Sequence, residues 1–340
     1  MCVVGADFLT LFLTSMSSLF TYLSILLQFF MFHRKCLLVL CSFFVLSGCD
    51  RAKMRTDYVP EEFTYELEMC YTPIKDQGRS ELCWVYSMLA VLESDHIAEG
   101  DSIELSADYI GRVFLEETFR DYYQSGGTTC ADLRGVGPMT IELVRRYGAL
   151  SLTSYRAGRP VNWFRLKSYV MDVADRYMRE GRSLTEFSDT MSLVLDKTFG
   201  SIPDSVEVGG RLVTPLDYGA SLVGDRHFVT LMCDSRHRRG KDVDPKLKDN
   251  RYGLLADNVS DDILVSKMIE SLSSGHAVMW EGGPNDNHAV AVIGYGHDKY
   301  GEKYFVAKNS WGVDNPTKGL YYIEESYVRR HTSLVVFQED

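Results

Sequence analysis

Three short stretches carry residue types that do chemistry together. Thr72-Pro73-Ile74-Lys75-Asp76-Gln77-Gly78-Arg79-Ser80-Glu81-Leu82-Cys83-Trp84 holds a cysteine six residues after a glutamine. Asn287-His288-Ala289-Val290-Ala291-Val292-Ile293-Gly294-Tyr295-Gly296 opens on a histidine, and Lys308-Asn309-Ser310-Trp311-Gly312 sets an asparagine beside a tryptophan. Cysteine attacks as its thiolate, and a free thiol is mostly protonated at neutral pH. A helix N-terminus or a nearby imidazolium lowers that pKa, and the imidazole then returns the proton to a leaving group. Each stretch alone also has a plain structural reading: a small buried cysteine, a satisfied core histidine, a turn around a buried tryptophan. His227, His237, His276, His297 and the remaining cysteines show no paired metal-ligand spacing, so the chemistry calls for no metal or organic cofactor.

Two kinds of element must position these residues. From 80 to about 200 the apolar pattern is helical. Ser80 is placed to cap a helix carrying Leu82, Val85, Tyr86, Leu89 and Leu92 on one face and stopped by Gly100, which puts Cys83 in its first turn. Ser106 caps the next helix, 139–147 is a short amphipathic segment ending at Gly148, and Asn162 and Gly181 bracket another. Ser183-Leu184-Thr185-Glu186 reads as a capping box for a helix ending near Gly200. Beyond 200 come short β-branched or aromatic runs between turn residues: His227–Met232, His276–Trp280, His288–Tyr295, Lys303–Lys308, Gly319–Glu324 and Ser333–Phe337. One helix, capped by Ser260 and ended by Gly275, interrupts them. A helical first part (72–200) and a strand-rich second part (201–340) predict an α+β fold of two lobes, with the chemistry in the cleft between them.

The beginning of the chain is different in kind. Residues 8–30 carry no charge and are long enough for a membrane helix. At Met31 a second signal starts: basic Arg34-Lys35, an apolar block from Cys36 to Leu46, then Leu46-Ser47-Gly48-Cys49. That ending resembles a bacterial lipobox, which implies cleavage before Cys49 and a lipid on its sulfur. Translation is then expected to start at Met31, with 1–30 a mis-assigned start, 31–48 a signal peptide and 49–71 a polar tether. The mature chain, 49–340, has 46 acidic and 34 basic residues, a net charge of −12. An acidic surplus of that size argues against nucleic-acid partners. The expected partners are a peptide or protein substrate, and a membrane through the N-terminal lipid of a bacterial envelope.

Taken together and in this order, the three stretches resemble the papain family of cysteine peptidases. The resemblance implies a papain-like fold, with a helical left lobe and a β-barrel-like right lobe. It implies Cys83 as nucleophile, His288 as the proton carrier, Asn309 as its orienting partner and Trp311 as a shield over the Asn–His hydrogen bond. Gln77 would place a side-chain N–H beside the Cys83 backbone N–H as an oxyanion hole. Asp286 and Ala289, flanking the histidine, would line the specificity pocket with Trp311 close by.

The pattern departs from the family in two places. Ser80-Glu81-Leu82-Cys83 lacks the upstream structural cysteine, leaving Cys70, Cys130 and Cys233 with at most one disulfide among them. Cys83 and His288 stand 205 residues apart, against about 130–150 in the family, which places extra helices within 150–235. The residues after Asn309 look most like the bleomycin hydrolase and aminopeptidase C branch. In that branch a C-terminal tail enters the cleft; here the chain ends at Asp340, which points to an open cleft and an endopeptidase. The alternatives are an aminopeptidase, a peptidoglycan amidase, or a binding lipoprotein that keeps the fold without catalysis.

Overall fold

Residues 58–283 and 288–339 are described by a computed structural model. The leader, the lipidation candidate Cys49 and the pocket candidate Asp286 fall outside them.

Where a polar tether was expected, residues 64–68 form a strand, β1 (Thr64–Glu68). Its alternation of half-buried Tyr65 and Leu67 with exposed neighbours marks an edge strand, with too few apolar residues to stand out in sequence. It lies on Gly294 and Gly296 of a later strand, and a Cβ on Gly296 would come within 2.1 Å of the Thr64 carbonyl oxygen.

A run that is apolar on every side must be surrounded by protein. It forms α1 (Cys83–Ala98), buried at nearly every position from Trp84 to His96. Around it lie α2 (Ala107–Gln124), α3 (Gly137–Tyr147), α4 (Trp163–Arg179), α5 (Leu184–Phe199) and, past a small hairpin of β2 (Val206–Val208) and β3 (Arg211–Val213), α6 (Pro215–Val223). The expected caps are in place: Ser106, Asn162 and Ser183 accept from the third residue of their helices, and Glu186 completes the capping box. Helix α6 was not expected; Thr214 caps it. The extra residues between Cys83 and His288 include α4 and α5, which pack on α2 with Trp163 closed over Gly111.

The sheet holds β4 (His227–Met232), β5 (Gly240–Val243), β6 (Ala256–Asn258), β7 (Val278–Gly282), β8 (His288–His297), β9 (Lys303–Lys308), β10 (Leu320–Glu324) and β11 (Thr332–Glu339). Their order is β10-β9-β8-β7-β11-β4-β6-β5, with β1 added to β8 beyond the end of β7. Helices α7 (Asp261–Ser273), capped by Ser260, and α8 (Glu325–His331) flank it. Helix α1 packs against β7 and β8, so the start of the helix meets the start of β8. Cys70, Cys130 and Cys233 are free thiols. Among the described residues no helix is long and apolar enough to cross a membrane.

Candidate active site

Cys83 is the first residue of α1. The residue before it, Leu82, makes no side-chain cap, and Ser80 does not take that role: its hydroxyl has no hydrogen-bond partner among the described residues. An uncapped helix start leaves its first N–H groups available. Here the backbone N–H groups of Ala289, Trp84 and Cys83 itself favour the charged form of the sulfur. That is the effect expected of a helix N-terminus on a thiolate. Burial opposes them and is larger, and the Glu281 carboxylate adds to it, so the thiol is pushed up to about 11. The lowered thiol pKa expected from sequence is therefore not a property of Cys83 by itself.

His288 opens β8 and is buried. Its Nε2–H donates to Oδ1 of Asn309 at 2.9 Å, across the turn from β9. Burial holds the imidazole below its usual 6.5, and the Asn309 bond pulls partly the other way. The Trp311 ring lies 4.5 Å from the His288 ring between centroids and is itself half exposed, so it covers the imidazole on the solvent side. Ala289 is 1% exposed; what it presents to Cys83 is a backbone N–H.

Gln77 is held by the same turn that carries Asn309. Its backbone N–H donates to the Ser310 carbonyl at 2.8 Å, and Ser310 Oγ donates to Gln77 Oε1 at 2.6 Å. Asp76 bridges to Trp311, and the Gly312 N–H donates to the Lys75 carbonyl. Gln77 Nε2 donates to the Ser80 carbonyl at 3.0 Å. That bond uses one of the two hydrogens on the amide nitrogen.

Sequence reasoning missed three contributors. Ser310 stood inside a quoted motif, yet only the fold shows that it grips Gln77. Glu281 sits at the end of β7 opposite Ala289, with nothing local to mark it. Glu93 did carry a signal, a carboxylate inside the apolar run of α1. It is fully buried and accepts from the Lys75 ammonium, the Thr72 hydroxyl and, at 2.7 Å, the Leu105 N–H. Lys308, next to Asn309, donates to Thr72 Oγ1 at 2.6 Å and lies 3.7 Å from Glu93. One carboxylate thus ties the helix bearing Cys83 to both segments that hold Gln77 and Asn309.

Residues 255–333 match the family described as papain family cysteine protease. Germination-specific cysteine protease 1 of Arabidopsis thaliana is 23% identical over 281 residues, covering 81% of this chain and 53% of that protein. The chain thus spans about half the length of the curated relative it matches. The crystal structure of PepW from Lactobacillus rhamnosis HN001 superposes with a TM-score of 0.62 at 15% identity, over 81% of this chain and 82% of that one. The fold is α+β and papain-like.

Proposed function

We propose that this protein is a cysteine peptidase that hydrolyses peptide bonds through Cys83, His288 and Asn309. The observation that carries the reading is the 2.9 Å His288–Asn309 bond at the start of β8, beside a helix start whose backbone N–H groups favour the Cys83 thiolate. Burial penalises thiolate and imidazolium separately, as the upward push on Cys83 and the downward push on His288 indicate. Moving the thiol proton to His288 creates the two charges together, and their mutual attraction offsets the penalty. The thiolate then attacks the scissile carbonyl carbon, and the carbonyl electrons move to oxygen. The Cys83 backbone N–H and the Gln77 amide stabilise that oxyanion. His288 gives its proton to the leaving amine, and an acyl-enzyme remains. Water, losing a proton to His288, attacks the thioester and regenerates the thiol. Asn309 keeps the imidazole turned toward the sulfur throughout, under the cover of Trp311.

Cys83→Ala is expected to abolish cleavage of a casein or fluorogenic peptide substrate, and an epoxide thiol inhibitor is expected to label parent protein at Cys83. Full activity in Cys83→Ala overturns the mechanism. Loss of labelling together with absent cleavage in parent protein favours a non-catalytic binding role.

The finer reading is an endopeptidase carried on a lipid at Cys49 in a bacterial envelope. Its support is the run from Met31 to Cys49, with a basic start, an apolar block and Leu46-Ser47-Gly48 before the cysteine. Metabolic labelling with a palmitate analogue, lost in Cys49→Ser, tests the anchor. Equal cleavage of N-acetylated and free-amine peptides is the endopeptidase result, and cleavage of free-amine peptides alone makes it an aminopeptidase.

A further inference from the structure

An amide side chain has a donor end and an acceptor end, and a buried one needs a partner for each. Asn309 uses its acceptor end, Oδ1, for the Nε2–H of His288 at 2.9 Å. Its donor end, Nδ2, is buried and makes no hydrogen bond among the described residues. The Tyr321 hydroxyl is in the same position, buried and without a hydrogen bond among the described residues. These two groups belong to neighbours. The Asn309 backbone N–H donates to the Gly319 carbonyl at 2.9 Å, and Tyr321 follows two residues later on β10, opposite Ala307 of β9. Tyr321 is 1% exposed and Asn309 2%. The Tyr321 ring lies 6.3 Å from the His288 ring and meets the Trp311 ring edge to face at 6.1 Å, both between centroids. Burial raises the phenol pKa and the Asn309 side chain pulls it partly back, which is the sign of an N–H directed at the phenol oxygen.

We propose that Tyr321 is a positioning residue for the triad, its phenol oxygen accepting from the Asn309 Nδ2–H so that Oδ1 is held on His288. The inference rests on the peptidase reading above and adds the residue that fixes the orienting partner. Which end of the amide meets the imidazole decides whether the histidine can work. With Oδ1 at Nε2–H, the ring hydrogen stays on Nε2 and the lone pair of Nδ1 is left to take the thiol proton. Turned over, the amide would set Nδ2–H against Nε2 and force the ring hydrogen onto Nδ1, which could then accept nothing. A buried amide held only at Oδ1 keeps rotation about its last side-chain bond, and a partner at Nδ2 removes that freedom. The imidazolium formed during catalysis gains as well, because an amide whose donor end is engaged is polarised into a stronger acceptor at Oδ1.

Tyr321→Phe removes one oxygen and keeps the ring. In full-length protein it is expected to lower kcat roughly 3- to 10-fold with KM nearly unchanged, the scale of one neutral hydrogen bond. In an Asn309→Ala background the same substitution is expected to change kcat by about twofold or less, because the hydroxyl has lost the group it acts through. An effect of equal size in both backgrounds, or none in either, overturns the proposal. A second arm needs no peptidase activity. A buried hydroxyl that pairs with nothing leaves the urea midpoint unchanged or raised when it is removed. A hydroxyl that pairs with Nδ2 lowers the midpoint on removal from parent protein, and does not lower it in Asn309→Ala. Should Tyr321→Phe fail to fold, the double variant is expected to fold, since neither partner is then left unsatisfied; a double variant that also fails overturns the proposal. Alkylation of Cys83 by iodoacetamide at pH 7, where the thiolate depends on the imidazolium, is expected to slow in Tyr321→Phe by a factor similar to that in kcat. If parent protein cleaves no peptide, the peptidase reading fails by itself, and the midpoints and alkylation rates decide whether Tyr321 holds Asn309. Equal midpoints and equal rates in parent protein and Tyr321→Phe overturn that coupling.

Discussion

Replacing Glu93 by glutamine keeps the shape of the side chain and removes the one charge that two ammonium groups share. Lys308 is almost wholly buried and Lys75 mostly so, and they would be left facing each other without the carboxylate that pairs with both, Glu104 acting on Lys308 only as a charge nearby. At the 3.7 Å separation of Lys308 and Glu93, an effective dielectric of about 20 gives an attraction of roughly 4–5 kcal/mol. Breaking one side of a buried ion pair costs about 3–5 kcal/mol in practice. With roughly 2–4 °C of Tm lost per kcal/mol in a protein of comparable size, the variant is expected to melt some 6–20 °C lower. The defect has a sign in pH. Burial already brings the Lys308 ammonium down to about 8, from 10.5 in the unfolded chain. Between those values the unfolded state holds more protons, so the Lys308 contribution to stability rises with pH. Without Glu93 the ammonium is disfavoured further, so the deficit of Glu93→Gln is largest near neutrality and shrinks toward pH 9–10, where Lys308 folds uncharged. Urea denaturation of parent, Glu93→Gln and Glu93→Gln/Lys308→Met at pH 7 and 9 measures all of this. The double variant, with only Lys75 left, is expected to recover part of the loss. A Glu93→Gln protein within about 1 kcal/mol of parent at pH 7 refutes the account. Because the cluster joins α1 to the segments before Gln77 and Asn309, kcat is expected to fall more than KM rises.

Three further outcomes follow from the same structure. Asn309→Ala leaves the imidazole without its acceptor, and one charge-assisted hydrogen bond of about 1.5–3 kcal/mol corresponds to a roughly 10- to 100-fold lower kcat, read with substrate at saturation. His288 has a folded-state pKa below its unfolded value of 6.5, so its contribution is present above 6.5 and is lost as pH falls through that value toward the depressed one. Thermal scans from pH 7.5 to 4.5 should show a shallower acid loss in His288→Gln than in parent, and parallel curves would contradict the assignment. Gly148 ends α3 at φ 83°, where a Cβ would stand 2.0 Å from the Pro215 carbonyl oxygen. Gly148→Ala is therefore expected to cost more than about 2 kcal/mol in denaturant unfolding, through a strained φ and a backbone clash.

Much of the site was legible because its residue types are demanding locally. A cysteine in the first turn of an apolar helix, a histidine opening an apolar strand and an asparagine in a tight turn each follow from a short stretch of sequence. The helix caps at Ser106, Asn162, Ser183 and Ser260 were legible for the same reason, since a cap bonds an amide two or three residues away. Ser80 met the local rule and failed it, because the neighbours of the Cys83 sulfur come from β8 and from the helix's own first amides. Strand β1 escaped notice because what makes it a strand is a pair of glycines on β8, more than two hundred residues away.

The amino-acid sequence by itself determined the chemistry on offer, the helices and most strands, and the order in which they follow. Only the tertiary structure decided the balance of forces at the sulfur. Burial, the Ala289 amide and the Glu281 carboxylate act on Cys83 through space, from strands whose register with one another no local pattern encodes. The same holds for Glu93, whose carboxylate reads in sequence as a flaw in an apolar helix. In the fold it is the point where the segments holding Cys83, Gln77 and Asn309 are joined, because a charge can be kept out of water only where opposite charges converge on it.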